Sequence, residues 1–154
     1  ETKVTVLPTV SNTLVYSLGE NELISGLRGI NTEPAVIGTF AKRFQFLFLI
    51  EFQPGGFYPF SKLEQRLLLN GGFAFSDLLP VVDRKIMEAY QQAISIVELV
   101  AAVDEIFLEQ LDDSWVNPAV THAIKRLVTV KGQVSSKMLA SIESFVLSAG
   151  WNQC

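Results

Sequence analysis

Cysteine and histidine are almost missing from these 154 residues, where Cys154 and His122 are the sole members of their types. One cysteine permits no disulfide within the chain. With one histidine beside it, no metal site can be assembled from several such ligands, and a multi-histidine metal cupin is excluded. Ser-His-Asp and Cys-His catalysis are excluded as well unless His122 is the base. Charge is scarce too: 18% of residues are charged against 49% apolar, which excludes a disordered chain. Long apolar runs are missing, and stretches such as 46–50 and 78–82 fall far short of the ~20 residues of a membrane helix. The opening Glu1-Thr2-Lys3-Val4-Thr5-Val6 has an acidic start and alternation in place of a basic flank and an apolar block. The expectation is a folded protein without membrane span, its secretory address absent or cut away, in the cytoplasm by default.

The few charges are unevenly placed. Residues 1–113 carry 8 Lys/Arg against 15 Asp/Glu, and residues 114–154 carry 4 against 1. An acidic body is therefore joined, near Asp112-Asp113-Ser114-Trp115, to a basic segment that is either a solvated helix face or a surface for a polyanion.

The first half reads as β. Val4, Val6 and Leu14-Val15-Tyr16 are strand-like, and Pro8, Ser11-Asn12, Gly19-Glu20-Asn21, Gly26 and Gly29-Ile30-Asn31 mark turns between short antiparallel strands. Residues 35–40 form another strand. The clearest spans 44–53, with Phe44, Phe46, Phe48, Ile50 and Phe52 on one face and Gln45, Leu47, Leu49, Glu51 and Gln53 on the other. Leu47 and Leu49 on the second face predict that its middle is covered on both sides, as in a barrel or helix-backed sheet.

After Pro54-Gly55-Gly56 the hydrophobic period changes, Gly71-Gly72 marks a turn, and everything beyond Phe75 reads as helical. Asp83 is placed to cap a helix through Tyr90. Ser95-Ile96-Val97-Glu98 is a capping box opening a second helix. Ile96, Val100, Val103, Phe107 and Leu111 make one stripe along it, suited to intramolecular core or to a dimer seam over 95–111. Asn117-Pro118 starts a third helix, 118–130, with Val120, Ala123-Ile124 and Leu127-Val128 at helical spacing. A last helix begins at Ser135 or Ser136, with Met138-Leu139, Ile142 and Phe145-Val146 inward. Residues 1–75 thus make a β-rich region, residues 76–113 an acidic helical region and residues 114–154 a basic helical region.

Ile50-Glu51-Phe52-Gln53-Pro54-Gly55-Gly56-Phe57-Tyr58-Pro59-Phe60 is more distinctive than any periodicity. It resembles the sensor domain of a subgroup of AraC-type transcription regulators, where an apolar strand ends in a polar residue, Pro-Gly-Gly and an aromatic, with a leucine following near the position of Leu63. Val6-Leu7-Pro8 leading to Leu14 through Gly19, and Phe75-Ser76-Asp77-Leu78-Leu79, are similar to other stretches of that domain. Residues 132–140 look like the opening of the family's first helix-turn-helix. Beyond that the pattern departs: the usual turn glycine, capping serine and Arg-rich recognition helix do not follow, and no arginine occurs after Arg126. The resemblance, over roughly residues 6–140, implies an α+β protein, a small cupin-like antiparallel sheet or barrel followed by a helical half. It also implies regulation by a small effector, dimerisation, and DNA binding only through a complete C-terminal domain.

Four cations, Lys125, Arg126, Lys131 and Lys137, are too few for major-groove reading, so the isolated chain is expected to make no specific DNA contact. No paired-acid motif is present, so neither Glu51 nor Asp83 marks a catalytic site. No catalytic, cofactor or metal residue is assigned. Glu51 and Gln53 end the aromatic strand, placed either for solvent or for a ligand at a barrel mouth. His122 reads as a surface or packing residue, Trp115 as a docking anchor or a ligand-stacking ring, and Cys154 as exposed. A stand-alone ligand-binding or interaction module is the alternative to a regulator's sensor domain.

Overall fold

The computed structural model describes residues 4–19, 22–38, 45–131, 133–135 and 137–138, and the chain forms two compact units, 1–112 and 113–154. The first unit is an α+β fold with its sheet first and its helices later. Strands β1 (Val4–Val6) and β4 (Ala35–Gly38) form one antiparallel pair. Strands β2 (Thr13–Leu18), β3 (Leu23–Arg28), β5 (Phe46–Glu51) and β6 (Gly72–Ala74) form an antiparallel sheet in the order β5-β2-β3-β6.

Alternation along these strands separates two faces. Leu14 opposes Leu27 on one side and Ile50 on the other, and Tyr16 opposes Phe48, so the aromatic residues of β5 share a face with the buried positions of β2 and β3. That inner face is covered by α2 (Phe75–Leu78), α3 (Pro80–Gln92) and α4 (Ile96–Gln110), which contribute Phe75, Val82, Ile86, Leu99, Val103 and Phe107 to one core. Each such side chain is worth about 1.5–3 kcal/mol when fully buried. Phe75 and Leu14, with no exposed surface at all, sit at its centre.

The Pro-Gly-Gly corner turns the chain from β5 under α4. Gly55 has φ 74°, a left-handed conformation that a β-branched side chain resists, and Gly56 donates its N–H to the Gln53 carbonyl at 2.7 Å. The reversal leads into the short helix α1 (Tyr58–Ser61) and a 3₁₀ turn at Gln65–Leu68. Phe52, Phe57 and Phe60 from this corner gather around Phe107 of α4. The Phe52 ring lies 5.5 Å from that of Phe107 and 5.0 Å from that of Phe57, and Phe60 and Phe107 are 5.2 Å apart. These mostly edge-on contacts make a filled apolar joint between the sheet end and α4.

Several expectations are corrected. The middle of β5 is covered on one side only: Leu47 and Leu49 are 49% and 54% exposed. Phe44 lies outside the described residues. Gly26 is a strand residue rather than a turn, and Gly72 begins β6, which pairs with β3 through Gly26↔Ala74 and Arg28↔Gly72. Asp83 caps nothing, because α3 already begins at Pro80, after Leu79; it lies buried one turn in. The α4 stripe is rotated. Leu99 and Ile106 widen the apolar arc on one side, so at about 100° per residue the buried line becomes Leu99, Val103 and Phe107, while Ile96 and Val100 turn outward. Leu111 follows the helix, half-buried.

The helix starts at Ser95 and Asn117 are as the sequence reads. Ser95 Oγ accepts from the Glu98 N–H at 3.2 Å, and the Glu98 carboxylate reaches back to the N–H of Ile94, one residue beyond the usual capping-box partner. In the second unit α5 (Pro118–Thr129) begins at Asn117, whose Oδ1 accepts from the N–H groups of Ala119 and Val120. The Ser135 hydroxyl accepts from the Met138 N–H at 3.3 Å, consistent with a further helix start. Met138 itself is 56% exposed rather than inward, and Leu139, Ile142, Phe145 and Val146 lie outside the described residues.

Candidate functional site

The outer face of the four-stranded sheet is the site the fold leaves open. Residues directly opposite in an antiparallel pair point to the same side. Because Thr13 opposes both Glu51 and Arg28, those three form one row across β5, β2 and β3. The next row is Leu49, Val15, Gly26 and Ala74, and the third is Leu47, Ser17 and Ile24. Rows two residues apart are about 6.6–6.8 Å apart along the strand.

Leu47, Leu49 and Ile24 are each about half exposed, and Val15 lies between them. This apolar floor has a low region. Gly26 has no side chain and Ala74 only one carbon, whereas Leu49 at the other end of the same row stands tall. Nothing in the backbone requires glycine at 26, since a Cβ there would meet the Phe73 carbonyl oxygen at an ordinary 3.6 Å. Ser17 is the buried polar residue of the floor, its hydroxyl donating to the Ile24 carbonyl at 3.5 Å. The polar end is the row Glu51, Thr13, Arg28, and neither charge is in an ion pair among the described residues.

The opposite face packs on the helices through the shared core, with the Phe46 ring of β5 5.4 Å from that of Tyr90 of α3, and two further contacts tie it to them. At one, Phe52 meets Phe107 of α4 within the aromatic joint. At the other, the buried Tyr16 hydroxyl donates to Asp83 Oδ1 of α3 at 2.8 Å. Burial, reinforced by the hydrogen bond to Asp83 and by its charge, pushes the Tyr16 hydroxyl well above its usual pKa and keeps it a donor. The Tyr16 ring also stands edge-on to Phe75, at 6.4 Å. The far end of the inner face is closed by a polar pair, the buried Asn12 donating through Nδ2 to Gln65 Oε1 at 2.6 Å. Gln65 in turn donates Nε2 to the Leu63 carbonyl, which can only accept. That carbonyl fixes both amide orientations, and Asn12 Oδ1 is left buried with no partner among the described residues.

Of the residues singled out in the sequence, Glu51 lies at the polar end of the open face. Gln53 is exposed just past β5, with its carbonyl engaged by Gly56. Asp83 belongs to the link with Tyr16, away from the open face. His122 is exposed on α5, and Trp115 is 40% exposed in the 3₁₀ turn Asp113–Trp115. Cys154 is outside the described residues. Sequence reasoning missed Arg28, Thr13 and Tyr16, because only the register of β2 against its two neighbours brings them to these places. Among the described residues, no three His, Cys, Asp or Glu side chains cluster to hold a metal ion, and no helix is long and apolar enough to cross a membrane.

No protein-family model, no curated protein and no solved structure matches the chain.

Proposed function

We propose that this chain is the ligand-sensing regulatory domain of an AraC-like transcription regulator, without catalysis of its own, acting on DNA only through a complete C-terminal domain. The observation that carries the reading is the two-faced sheet. One face is open, apolar and edged by charge, and the other is joined to α3 and α4 by Tyr16–Asp83 and Phe52–Phe107. A small effector on the outer face would shift β2 and β5, and the two joints would carry that shift into the helices. Self-association of the helical half belongs to the same proposal, through the exposed start of α4 at Ile96, Val97 and Val100.

The test is hydrogen exchange on the 154-residue chain with and without an effector found by thermal-shift screening. Slower exchange is expected in β2 and β5 together with altered exchange in α3 and α4. Tyr16→Phe is expected to keep the strand response and weaken the helix response. An effector that protects the strands and leaves α3 and α4 unchanged in the parent protein would argue for a stand-alone binding module.

A further inference from the structure

Resting on the reading that the outer face is the effector site, we infer that its ligand is a small zwitterion with an apolar ring, of which an aromatic α-amino acid is the simplest example. Arg28 and Glu51 flank Thr13 on the two neighbouring strands, so their backbones are two interstrand spacings, about 10 Å, apart. The side chains can approach from both sides over Thr13, whose own side chain makes no hydrogen bond among the described residues. A carboxylate takes the planar donor fork of Arg28, an ammonium donates to the Glu51 carboxylate, and the Thr13 hydroxyl serves either group. A ligand of one sign satisfies one of the two and brings like charge towards the other.

The adjacent row decides the rest of the molecule. From the charged row the floor runs onto Leu49, Val15, Gly26 and Ala74, and a ring would lie over Gly26 and Ala74, where the side chains are smallest, beside Val15 and Ile24. A Cβ at 26 would meet the backbone at ordinary contact, so this part of the surface can be filled by substitution without steric strain. A second copy of the chain also offers Arg28 to Glu51 and is the competing occupant. One charge of each sign on either side of a single threonine, beside the small side chains of Gly26 and Ala74, is the complement of one small molecule.

L-phenylalanine is the probe, titrated into the full 154-residue chain while the methyl resonances of Val15, Ile24, Leu47 and Leu49 are followed. Those four methyl sets are expected to shift, and phenylalaninamide, lacking the carboxylate, and N-acetylphenylalanine, lacking the ammonium, are each expected to bind at least tenfold more weakly. Arg28→Gln and Glu51→Gln, both at the sheet surface, are expected to lose the same tenfold. Gly26→Val, which fills this part of the floor, should abolish binding while leaving the melting curve in place. Equal binding of the neutral N-acetylphenylalaninamide, or binding indifferent to Arg28→Gln, overturns the zwitterion and leaves the face as the effector site. Shifts confined to other methyls overturn both. No shift with any of the four compounds at millimolar concentration overturns the ligand class, and a dimer that Arg28→Gln dissociates assigns the face to a second copy instead.

Discussion

The hydroxyl of Tyr16, in the middle of the sheet, donates to the carboxylate of Asp83, in the first turn of α3, across 2.8 Å with both residues buried. A buried acceptor stripped of its donor loses the bond and keeps its desolvation penalty. For a charged group a bond of this kind is worth about 1.5–3 kcal/mol. Tyr16→Phe is therefore expected to destabilise the protein by about that amount, and Asp83→Asn, which retains an acceptor oxygen, by less. Urea unfolding of the single and double variants would measure the coupling, and additive single effects would mean that the two groups do not interact.

The same bond fixes an alkaline limit. An unfolded tyrosine releases its proton near pH 10, whereas burial and Asp83 hold Tyr16 protonated well beyond that. Above pH 10 the unfolded chain thus binds fewer protons than the folded one, so the contribution of Tyr16 is complete below that pH and declines as pH rises. The slope is at most about 1.4 kcal/mol per pH unit for one group. Stability measured between pH 9 and 11 should fall more steeply for the parent than for Tyr16→Phe, and parallel curves would remove Tyr16 as the cause.

What could be read from the sequence divides along one physical line. Signals closed within a few residues are there to be read: the Ser95 and Asn117 caps, the Gly55 reversal and the alternation of β5 each depend on neighbours in the chain. Signals that depend on a partner are not. Alternation alone cannot tell whether the Leu47 and Leu49 face is covered, and the three-residue β6 becomes a strand only because β3 supplies its partner. The same holds for α4, where the apolar residues outnumber one face and the position of α3 decides which of them are buried. The candidate site suffers most, since Glu51 is near in sequence to nothing that completes it, and Arg28 joins it only through the shared neighbour Thr13.

The glycines separate backbone necessity from open space. A Cβ on Gly29 would lie 1.6 Å from the Leu68 carbonyl oxygen, a backbone atom that cannot swing away, and one on Gly56 would lie 2.9 Å from the Gln53 carbonyl. Gly29→Ala is expected to unfold or rearrange the 3₁₀ turn, and Gly55→Val and Gly56→Val to lower the melting temperature, the first through its positive φ and the second through contact. Gly72→Ala meets nothing within 4 Å and should melt with the parent. Thermal denaturation of the four variants gives the order, and a Gly29→Ala protein as stable as Gly72→Ala would contradict the close approach.

Helix α4 offers the last separation, between its buried and exposed apolar residues. Val103 and Phe107 are buried in the core of the first unit, so Val103→Glu places an unpaired charge there and should abolish folding, while Phe107→Ala should cost about 3–5 kcal/mol. Val97 is 79% exposed and Ile96 58%, nearer the start of the same helix. Val97→Glu is therefore expected to leave the circular dichroism and unfolding curve of the parent nearly unchanged. If the exposed start of α4 is the self-association surface, the parent sediments as a dimer at tens of micromolar and Val97→Glu as a folded monomer. A parent that stays monomeric under those conditions, or a Val97→Glu protein that remains dimeric, would remove α4 as the seam, whereas a folded Val103→Glu protein would contradict the burial on which the helix assignment rests.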